Sequence, residues 1–488
     1  MSDHNETGVL FPLVDGRRST QTTSRAVFAE ATRTTAPDVA QRIEGSRDWH
    51  KDYVGVLADV ERVTASSSKA ALLVSTDGLF ALHERMVFAR DGEEWPLPHA
   101  LERWQDMQFD TATIDGDGGH PGRLVIPYRG RNLYGAELHR QLDDWVARGV
   151  IEQSCADALR RVDAEPEWLD ARDITVALVG AAAEMSPMPA LLRWGATVAA
   201  VDLPTPAVWQ RVADAARAGS GRIVAPVAGD APGANLLTQL PEIRTWLTGL
   251  ATPIVLGNYA YADGAMFVRV AAAADALTSY LVSTGTARAL AYLASPTDVF
   301  AVPASIVAGA RDGGTVKRRG GVISAPLRAL TAGRMFTPNY RTMVDSEEGQ
   351  RYGLADSVVP QQGPNYALAK RLQRWRAVVS RESVLTSANV APATKTKSVM
   401  KNRMLAAAYA GAGSYGVEVF ETQTSSTLMA ALMLHDLRNP TAPANPQTAL
   451  THPLDLFTDQ AAHGGLWRLP WEPRSVLPLA AIEGLVRR

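Results

Sequence analysis

The sequence predicts an α/β fold: a doubly wound parallel sheet, with an added N-terminal α+β domain and a C-terminal extension. Two observations carry this prediction. Continuous apolar and β-branched runs, such as ITVALVG (174–180), lack polar alternation, which is typical of strands buried on both faces. These runs alternate with helical segments at the spacing of βαβ units. The chain has 488 residues, 46% of them hydrophobic, so it is long enough for two or three domains.

The predicted elements follow one another regularly from residue 174. The strands are expected at 174–180, 197–204, 222–230, 253–258 and 298–305, and the helices between them at 207–218, 235–249 and 265–283. The segment 306–365 is rich in Gly, Arg, Pro and Tyr and is predicted to be an insertion. A helix is then expected from 366 to about 379, followed by a strand and a Thr-rich loop in VLTSANVAPATKTKS (384–398).

Changes of composition set the predicted domain boundaries. Residues 1–25 are polar and are expected to form a flexible tail. Residues 26–170 mix helical and strand patterns and are assigned to the N-terminal α+β domain. Residues 171–415 form the doubly wound domain, which contains the insertion. Residues 416–488 are rich in Pro, Leu and Trp, and we expect this extension to close a substrate pocket.

Composition also excludes several classes of function. The net charge of −2 offers no basic excess for nucleic acid, and there is no apolar run of 18 residues to form an integral membrane segment. The N-terminus lacks the pattern of a signal peptide. A single cysteine, Cys155, precludes a disulfide framework, and TIDGDGGH (113–120) lacks the spacing of a calcium loop, so no metal site is predicted. The expectation is a soluble, cytoplasmic protein.

The first group of candidate site residues lies between the first two strands. Gly180 ends the first strand and would let the backbone approach a pyrophosphate, and Ser186 could donate a hydrogen bond to a phosphate. The next helix begins near Pro187, a favoured first position, so its N–H groups would face the phosphates. Gly195 allows the turn into the second strand. Asp202 closes that strand, where a carboxylate accepts hydrogen bonds from ribose hydroxyls and repels a 2′-phosphate.

The loop after the first strand has an unfavourable feature for a dinucleotide. It runs Gly180-Ala-Ala-Ala-Glu184-Met-Ser186, with only its first glycine kept from a glycine-rich pattern. Glu184 would place a negative charge near the pyrophosphate unless its side chain turns away. A βαβ unit that binds no dinucleotide is therefore the alternative for this segment.

Tyr366 and Lys370 form the second group of candidate residues. They lie four positions apart at the start of a predicted helix, which places both side chains on one helical face. A free phenol has a pKa near 10 and is a poor base at neutral pH. A lysine ammonium held close would lower the pKa of Tyr366 towards the working range. A surface contact between the two side chains is the alternative.

Together these residues resemble the short-chain dehydrogenase/reductase family. The resemblance covers roughly 230 residues in family order, and it is carried by Gly180, Gly195, Asp202, Asp230, Asn258, Tyr366, Lys370, Asn389, Pro392, Thr394 and Thr396. It implies a Rossmann-type NAD(P)-binding domain in which Asp230 contacts adenine and Lys370 binds the nicotinamide ribose. The loop with Pro392, Thr394 and Thr396 would cover the nicotinamide. The sequence departs from the family pattern after the fourth strand, where only Asn258 remains of an Asn-Ala-Gly run.

The resemblance also implies a serine at the end of the fifth strand that polarises the substrate oxygen. Ser305 is the candidate by strand position, with Ser324 a weaker alternative and a plain strand-end serine the other interpretation. Tyr259 and Tyr261 follow Asn258 and are candidates for the substrate pocket. The segment His463-Gly-Gly-Leu-Trp467 is a further candidate for the pocket, and a loop packed on the core is the alternative there.

The predicted function is an NAD(P)-dependent oxidoreductase that interconverts an alcohol with a ketone or aldehyde. Tyr366 would be the acid/base, the cofactor would be NAD rather than NADP, and the substrate would be a medium-to-large, partly apolar small molecule. Two rivals remain open: an NAD-dependent epimerase or dehydratase on the same fold, and a non-catalytic nucleotide-binding protein. No nucleic-acid partner is expected, and assembly into a homo-oligomer is left open.

Overall fold

The computed structural model describes residues 6–104, 108–229, 231–251, 253–312 and 326–486. Its centre is an eight-stranded, mostly parallel sheet. The parallel strands, named first to sixth in chain order, are Thr175–Val179, Thr197–Val201, Arg222–Ala228, Ile254–Asn258, Ala287–Ala294 and Leu385–Val390. Their order across the sheet is third, second, first, fourth, fifth and sixth. The fold is therefore mixed α/β, and it is compatible with the doubly wound arrangement expected from the sequence.

Both faces of the sheet are covered, which explains the continuous apolar runs. Alternate residues of the first strand enter two different core clusters: Ala177 and Val179 face one, and Val176 and Leu178 face the other. The helices against the first face are Leu240–Thr248, Ala265–Ser283 and Gly363–Arg381. The helices against the second face are Met188–Arg193, Pro206–Arg217 and Thr422–Arg438.

The fifth strand corrects the sequence prediction. Residues Ala287–Ala294 form it, whereas the strand expected at 298–305 is Val299–Pro303. This segment leaves the central sheet and pairs antiparallel with Arg351–Asp356, which also pairs with Met343–Asp345. The interruption of the parallel order therefore begins directly after the fifth strand, at residue 295, and not at residue 306.

The N-terminal residues also differ from their prediction. Gly8–Leu10, expected in a flexible tail, is buried and pairs antiparallel with Val87–Arg90, and Glu93–Pro96 completes this small sheet. A short hairpin of Leu13–Val14 and Arg17–Arg18 follows. The Ser19 side chain then caps the next helix by accepting a hydrogen bond from the Thr22 N–H, at 3.2 Å.

Residues 26–170 do not form one separate domain, because their halves pack on opposite faces of the sheet. The helices on the first face are Thr20–Arg33, Pro37–Glu44, Trp49–Thr64, Ser68–His83 and Leu97–Arg103. Asp110–Asp115 then pairs antiparallel with the third strand. The elements on the second face are the hairpin Ile126–Tyr128 and Arg131–Leu133 and the helices Gly135–Ala147 and Gln153–Ala164. The last two helices meet at Gly149, as predicted, where φ is +67°.

The remaining elements complete the carboxyl edge of the sheet and the C-terminal region. Further helices in the described ranges are Ala304–Asp312, Lys397–Lys401, Arg403–Gly411, Asp455–Thr458 and Pro473–Val486, and residues 326–330 are also helical. Turns of 3-10 helix lie at Pro166–Leu169, Pro360–Gln362, Ala412–Tyr415 and Leu466–Arg468. The short strand Ala231–Pro232 pairs antiparallel with the end of the third strand. The C-terminal helix packs closely on Arg403–Gly411, because a Cβ at Gly411 would lie 1.9 Å from the carbonyl oxygen of Ala480.

One helix in the described ranges, Ala265–Ser283, is long and apolar enough to cross a membrane by length and composition. However, 61% of it is buried in the protein. It packs against Gly363–Arg381 and contributes Phe267 and Leu277 to the core. A core helix passes the same test of length and hydropathy, so this one gives no indication of an integral membrane segment.

Candidate active site

The candidate site is centred on Tyr366, at the carboxyl edge of the parallel sheet. Tyr366 and Lys370 lie near the start of the helix Gly363–Arg381, and Ser295 directly follows the fifth strand. The Tyr366 hydroxyl donates a hydrogen bond to Ser295 Oγ at 2.9 Å. Lys370 Nζ donates to the carbonyl oxygen of Leu293 at 3.2 Å and to Gln373 Oε1 at 3.0 Å. The structure therefore places both predicted residues against the end of the fifth strand.

Ser305, the predicted partner of Tyr366, lies elsewhere. It is exposed on the helix Ala304–Asp312, because the segment before it left the parallel sheet. Ser295 takes the position that the prediction gave to Ser305. Ser324, the weaker alternative, is outside the described residues.

Two further polar residues, also missed by sequence analysis, extend the contact of Ser295. Ser295 Oγ and Thr297 Oγ1 are 2.9 Å apart, and Thr297 Oγ1 donates to Gln362 Oε1 at 2.7 Å. Since Gln362 Oε1 can only accept, the Thr297 hydroxyl must accept from Ser295, which in turn accepts from Tyr366. The hydrogen bonds run in one direction, and the phenol of Tyr366 is a donor at their start.

Burial shifts the acidity of both predicted catalytic groups. Burial raises the pKa of Tyr366; hydrogen-bond interactions with Ser295, Thr297 and Gln362 oppose this, and the charge of Asp298 adds to it. Burial also lowers the pKa of the Lys370 ammonium, to about 8. The expectation that Lys370 lowers the pKa of Tyr366 is not met in this structure, since the ammonium is bonded to other groups. Tyr366 is therefore a protonated phenol at neutral pH.

Aromatic side chains form one wall beside Tyr366. The ring centroids of Phe267 and Tyr261 lie 5.7 and 6.5 Å from that of Tyr366. Tyr261 is 48% exposed, and its hydroxyl donates to Asp263 Oδ1 at 2.9 Å. Tyr261 therefore lies beside Tyr366 with part of its side chain accessible, and its assignment to a substrate pocket stays a prediction. Tyr259 is instead buried in the core, with its hydroxyl 3.9 Å from Met433 Sδ.

His463 and Trp467 are also core residues and not pocket residues. Both are fully buried and their rings stack with centroids 4.7 Å apart. The Gly465 N–H donates to His463 Nδ1 at 3.1 Å, which leaves Nε2 to donate to Glu152 at 2.9 Å. These contacts fasten the C-terminal segment to the helix pair on the second face. The alternative of a loop packed on the core is the one that the structure shows.

The residues predicted near the adenosine and diphosphate lie together around the ends of the first two strands. Gly180 has φ of +80°, and a Cβ there would lie 2.5 Å from the backbone of Ala260. Asp202 Oδ2 accepts from the Ala182 N–H at 2.8 Å, and burial raises the pKa of this carboxyl. Ser186 is buried and accepts from the Met188 N–H at 3.2 Å, so in this structure its hydroxyl is bonded to the first residue of the helix Met188–Arg193.

The fourth strand ends in a buried polar side chain. Asn258 is the last residue of that strand, and its Oδ1 has no hydrogen-bond partner among the described residues. An acceptor left without a donor in a buried position is costly unless a ligand or water supplies one. Asp230, predicted to contact adenine, is outside the described residues.

The Thr-rich loop after the sixth strand has one buried threonine and one partly exposed threonine among the predicted residues. Pro392 and Thr394 are buried, and Thr394 Oγ1 contacts the Pro392 carbonyl at 2.8 Å and Ser425 Oγ at 2.7 Å. Thr396 is partly exposed, with its hydroxyl 3.0 Å from that of Ser398. Thr394 therefore faces the core, and Thr396 is the threonine that remains accessible.

A direct contact joins the loop after the first strand to the loop after the sixth. Glu184 Oε2 accepts from the Lys397 N–H at 2.7 Å, and Glu184 Oε1 lies 3.9 Å from Lys397 Nζ. The first and sixth strands are separated by the fourth and fifth. The contact therefore bridges the carboxyl ends of those two strands, and we call it the Glu184–Lys397 bridge.

The N-terminal region also reaches the site. Tyr53 and Leu57, from the helix Trp49–Thr64, line a recess beside Tyr366 and Lys370. The recess is small: its cavity volume is about 10 Å³, roughly the space of one water molecule. The Tyr53 hydroxyl donates to the Pro360 carbonyl at 3.2 Å, next to the turn that carries Gln362. The N-terminal helices are therefore part of the wall of the site.

Comparison with known proteins does not assign the chain to a family. No family model matches it, and no curated protein sequence gives a significant match. The function is therefore argued from the geometry of the site.

Proposed function

We propose that the protein is an NAD(P)-dependent oxidoreductase, similar to the short-chain dehydrogenase/reductase family and built on a Rossmann-type domain. It would interconvert an alcohol with a ketone or aldehyde. The observation that carries this proposal is the hydrogen bond from Tyr366 to Ser295, next to Lys370, at the carboxyl edge of the parallel sheet. In open α/β sheets this edge is where ligands bind, close to the point at which the strand order reverses.

The residues around the first strands fit an adenine dinucleotide at its ribose. Each oxygen of Asp202 accepts one backbone N–H, which leaves lone pairs for ribose hydroxyls. Gly180 lets the first loop pack directly against the backbone of Ala260, after the end of the fourth strand. Lys370 would hold the nicotinamide ribose, and Asn258 has an unused buried acceptor at the fourth strand. When bound, the nicotinamide would supply or take up a hydride.

The side chains of the site support acid catalysis by Tyr366. Its raised pKa keeps the phenol protonated at neutral pH, as donation of a proton to a carbonyl oxygen requires. Ser295 lies close enough to Tyr366 for both hydroxyls to reach one substrate oxygen. The aromatic wall of Tyr261 and Phe267, with exposed Met400 and Met404 on the helices after the sixth strand, suits a partly apolar substrate.

Substitution of Tyr366 tests the proposal. Tyr366→Phe should keep the fold and cofactor affinity but lower turnover about 100- to 10,000-fold, which is the typical contribution of general acid–base catalysis. Turnover would be followed by the change in nicotinamide absorbance over a panel of apolar alcohols and ketones. The half-exposed Tyr134, remote from the site, supplies the matched control Tyr134→Phe. Equal turnover in the two variants would remove Tyr366 from the mechanism.

A second function is supported by the Glu184–Lys397 bridge. The Glu184 carboxylate accepts a hydrogen bond from the Lys397 N–H, beside the loop where a diphosphate would lie. Its negative charge would repel the diphosphate. This observation weakens the fit of the diphosphate that catalysis with a dinucleotide requires, and it therefore favours a nucleotide-binding protein without turnover. Mass spectrometry of nucleotides that copurify with the protein, followed by the same substrate panel, separates the two functions: a bound dinucleotide without turnover would favour the second.

A further inference from the structure

Four charged side chains form a closed cluster behind the candidate site. Glu61, Asp298, Arg371 and Arg374 have side chains that are 1–5% exposed. Arg371 bonds to Glu61 and, at 2.8 Å, to Asp298. Arg374 bonds to Asp298 at 2.8 Å and to Glu61 at 2.7 Å. Each guanidinium therefore bridges both carboxylates, and the cluster has two charges of each sign.

The cluster joins three parts of the chain that meet at the site. Glu61 belongs to the N-terminal helix Trp49–Thr64, and Asp298 lies three residues after Ser295. Arg371 directly follows Lys370 on the helix that carries Tyr366. The segment with the serine and the helix with the tyrosine are thus held together through an acidic residue of the N-terminal region.

The same side chains also fix the backbone that leaves the site. Asp298 Oδ1 accepts from the Val299 N–H at 2.7 Å, and Glu61 Oε1 accepts from the Ala301 N–H at 3.0 Å. Arg374 Nη1 donates to the Val299 carbonyl at 2.7 Å. Planar guanidinium groups bonded at both ends restrict distance and angle more than a single contact would. The path of the chain after Ser295 is therefore set against the Tyr366 helix.

We propose that Glu61, Asp298, Arg371 and Arg374 are positioning residues that set the distance and angle between the Ser295 and Tyr366 hydroxyls. The N-terminal region is then part of the catalytic apparatus through Glu61. The inference depends on the proposed function for its effect on turnover. The effect on Tyr366 itself is independent of any reaction. Buried ion pairs often add little net stability, so the role inferred for this cluster is the geometry of the site.

A second buried cluster on the same helix provides a matched control. Arg376 makes two bonds of 2.7 Å to Asp275, and His83 Nε2 lies 2.7 Å from Asp275 Oδ2. This cluster also ties an N-terminal helix to the Tyr366 helix, and it includes no residue of the segment that carries Ser295. Loss of Asp275 disturbs a comparable buried arginine, and no hydrogen bond in the described part of the chain joins this second cluster to residues 295–301.

Kinetics of paired variants test the effect on turnover. Glu61→Gln should lower kcat at least tenfold with little change in KM for the cofactor, whereas Asp275→Asn should lower kcat less than threefold. Both would be measured at a temperature where circular dichroism shows them folded. Glu61→Asp keeps the charge but is one methylene too short to span both arginines, and should show an intermediate kcat. Equal losses of kcat in the Gln and Asn variants would overturn the proposal.

Nuclear magnetic resonance of Cζ-labelled tyrosine tests the cluster without any turnover, with Tyr366→Phe identifying the resonance. The charge of Asp298 contributes to the raised pKa of Tyr366. Asp298→Asn should therefore move the Tyr366 titration to lower pH, and Asp275→Asn should leave it in place. An unmoved Tyr366 titration in Asp298→Asn would overturn the proposal. If Asp298→Asn lowers the pKa of Tyr366 but the native protein shows no turnover, the result would support the role of the cluster and count against the proposed function.

Discussion

At the scale of single residues, burial controls the chemistry of the site more than pairing does. Tyr366 and Lys370 are one helical turn apart, yet they are not bonded to each other. The Lys370 ammonium donates to the Leu293 carbonyl and to Gln373, and the Tyr366 phenol donates to Ser295. Burial favours the uncharged form of each group, so it raises the pKa of the phenol and lowers that of the ammonium. A bound cofactor with ribose hydroxyls near Lys370 would change this balance.

The depressed pKa of Lys370 predicts a pH dependence of stability. The ammonium has a pKa of about 8 in the folded protein and about 10.4 in an unfolded chain. Between these values the unfolded state binds more protons, so the folded state gains stability as the pH rises. From about pH 7 to about pH 9, the native protein should gain about 1 kcal/mol relative to Lys370→Met. Urea unfolding of both proteins at the two pH values measures this difference in the free energy of unfolding. A loss of stability with rising pH, relative to Lys370→Met, would contradict the burial of Lys370.

Asp202 predicts the choice of cofactor. A 2′-phosphate would oppose its carboxylate, and like charges about 4 Å apart cost around 4 kcal/mol per pair at an effective dielectric near 20. NADH should therefore bind at least about tenfold more tightly than NADPH, and Asp202→Asn should narrow the difference. The charge of Arg211 acts on this carboxyl, so Arg211→Ala is the control for compensation by a cation. Calorimetry that gives tighter binding of NADPH would show that Asp202 does not face the ribose.

Site residues could be predicted from the sequence only where the pattern that identifies them lies within one helix or at the end of one strand. Spacing of four placed Tyr366 and Lys370 on one helix, and Gly180 and Asp202 follow directly from strand ends. Glycines next to His463 and Trp467 suggest a mobile loop at a pocket. The structure instead bonds His463 to Glu152, which lies more than 300 residues away in the chain. Contacts of that separation leave no mark on the local sequence.

At the scale of elements, the fifth strand explains why Ser295 was missed. Ala287–Ala294 contains four alanines, which favour helix over strand, and it follows a long alanine-rich helix. It is a strand because it pairs on both sides, with the fourth and sixth strands. The next run, Val299–Pro303, has strong strand propensity, so the sequence predicts the fifth strand there. Tertiary pairing, which a single sequence does not reveal, decided between them.

The Glu184–Lys397 bridge predicts an effect on cofactor affinity at the same scale. Removal of the negative charge of Glu184 should allow a diphosphate to accept a hydrogen bond from the Lys397 N–H. Glu184→Gln should therefore bind NADH about tenfold more tightly than the native protein, which is a gain in binding free energy of about 1.4 kcal/mol. The control is Glu421→Gln, which removes the exposed partner of the neighbouring Lys395. Fluorescence titration with NADH measures both. Unchanged or weaker binding in Glu184→Gln would place the diphosphate away from this bridge.

At the scale of the whole molecule, the added segments are built into the sheet domain. One core cluster contains residues from Val9 to Val476, including the Tyr366 helix. Asp110–Asp115 pairs with the third strand, and the Ala462 N–H donates to Val390 at the other edge, at 3.0 Å. The predicted boundaries at residues 170 and 415 mark changes of composition. They do not mark separate cores, because local amino-acid composition does not show which distant segments of the chain pack against one another.

This shared core predicts that the chain unfolds in a single transition. Chains of this length usually unfold through intermediates, because their domains have separate cores. Here detachment of the N-terminal region would break the bonds of Glu61 to Arg371 and Arg374, and breaking a buried ion pair typically costs about 3–5 kcal/mol. The rest of the protein should therefore lose its stability as soon as that region detaches. Calorimetry should give equal calorimetric and van't Hoff enthalpies, and fluorescence and circular dichroism should change together in urea. Two resolved transitions, with residues 171–486 protected from proteolysis in the second, would show instead that the sheet is stable without its N-terminal cover.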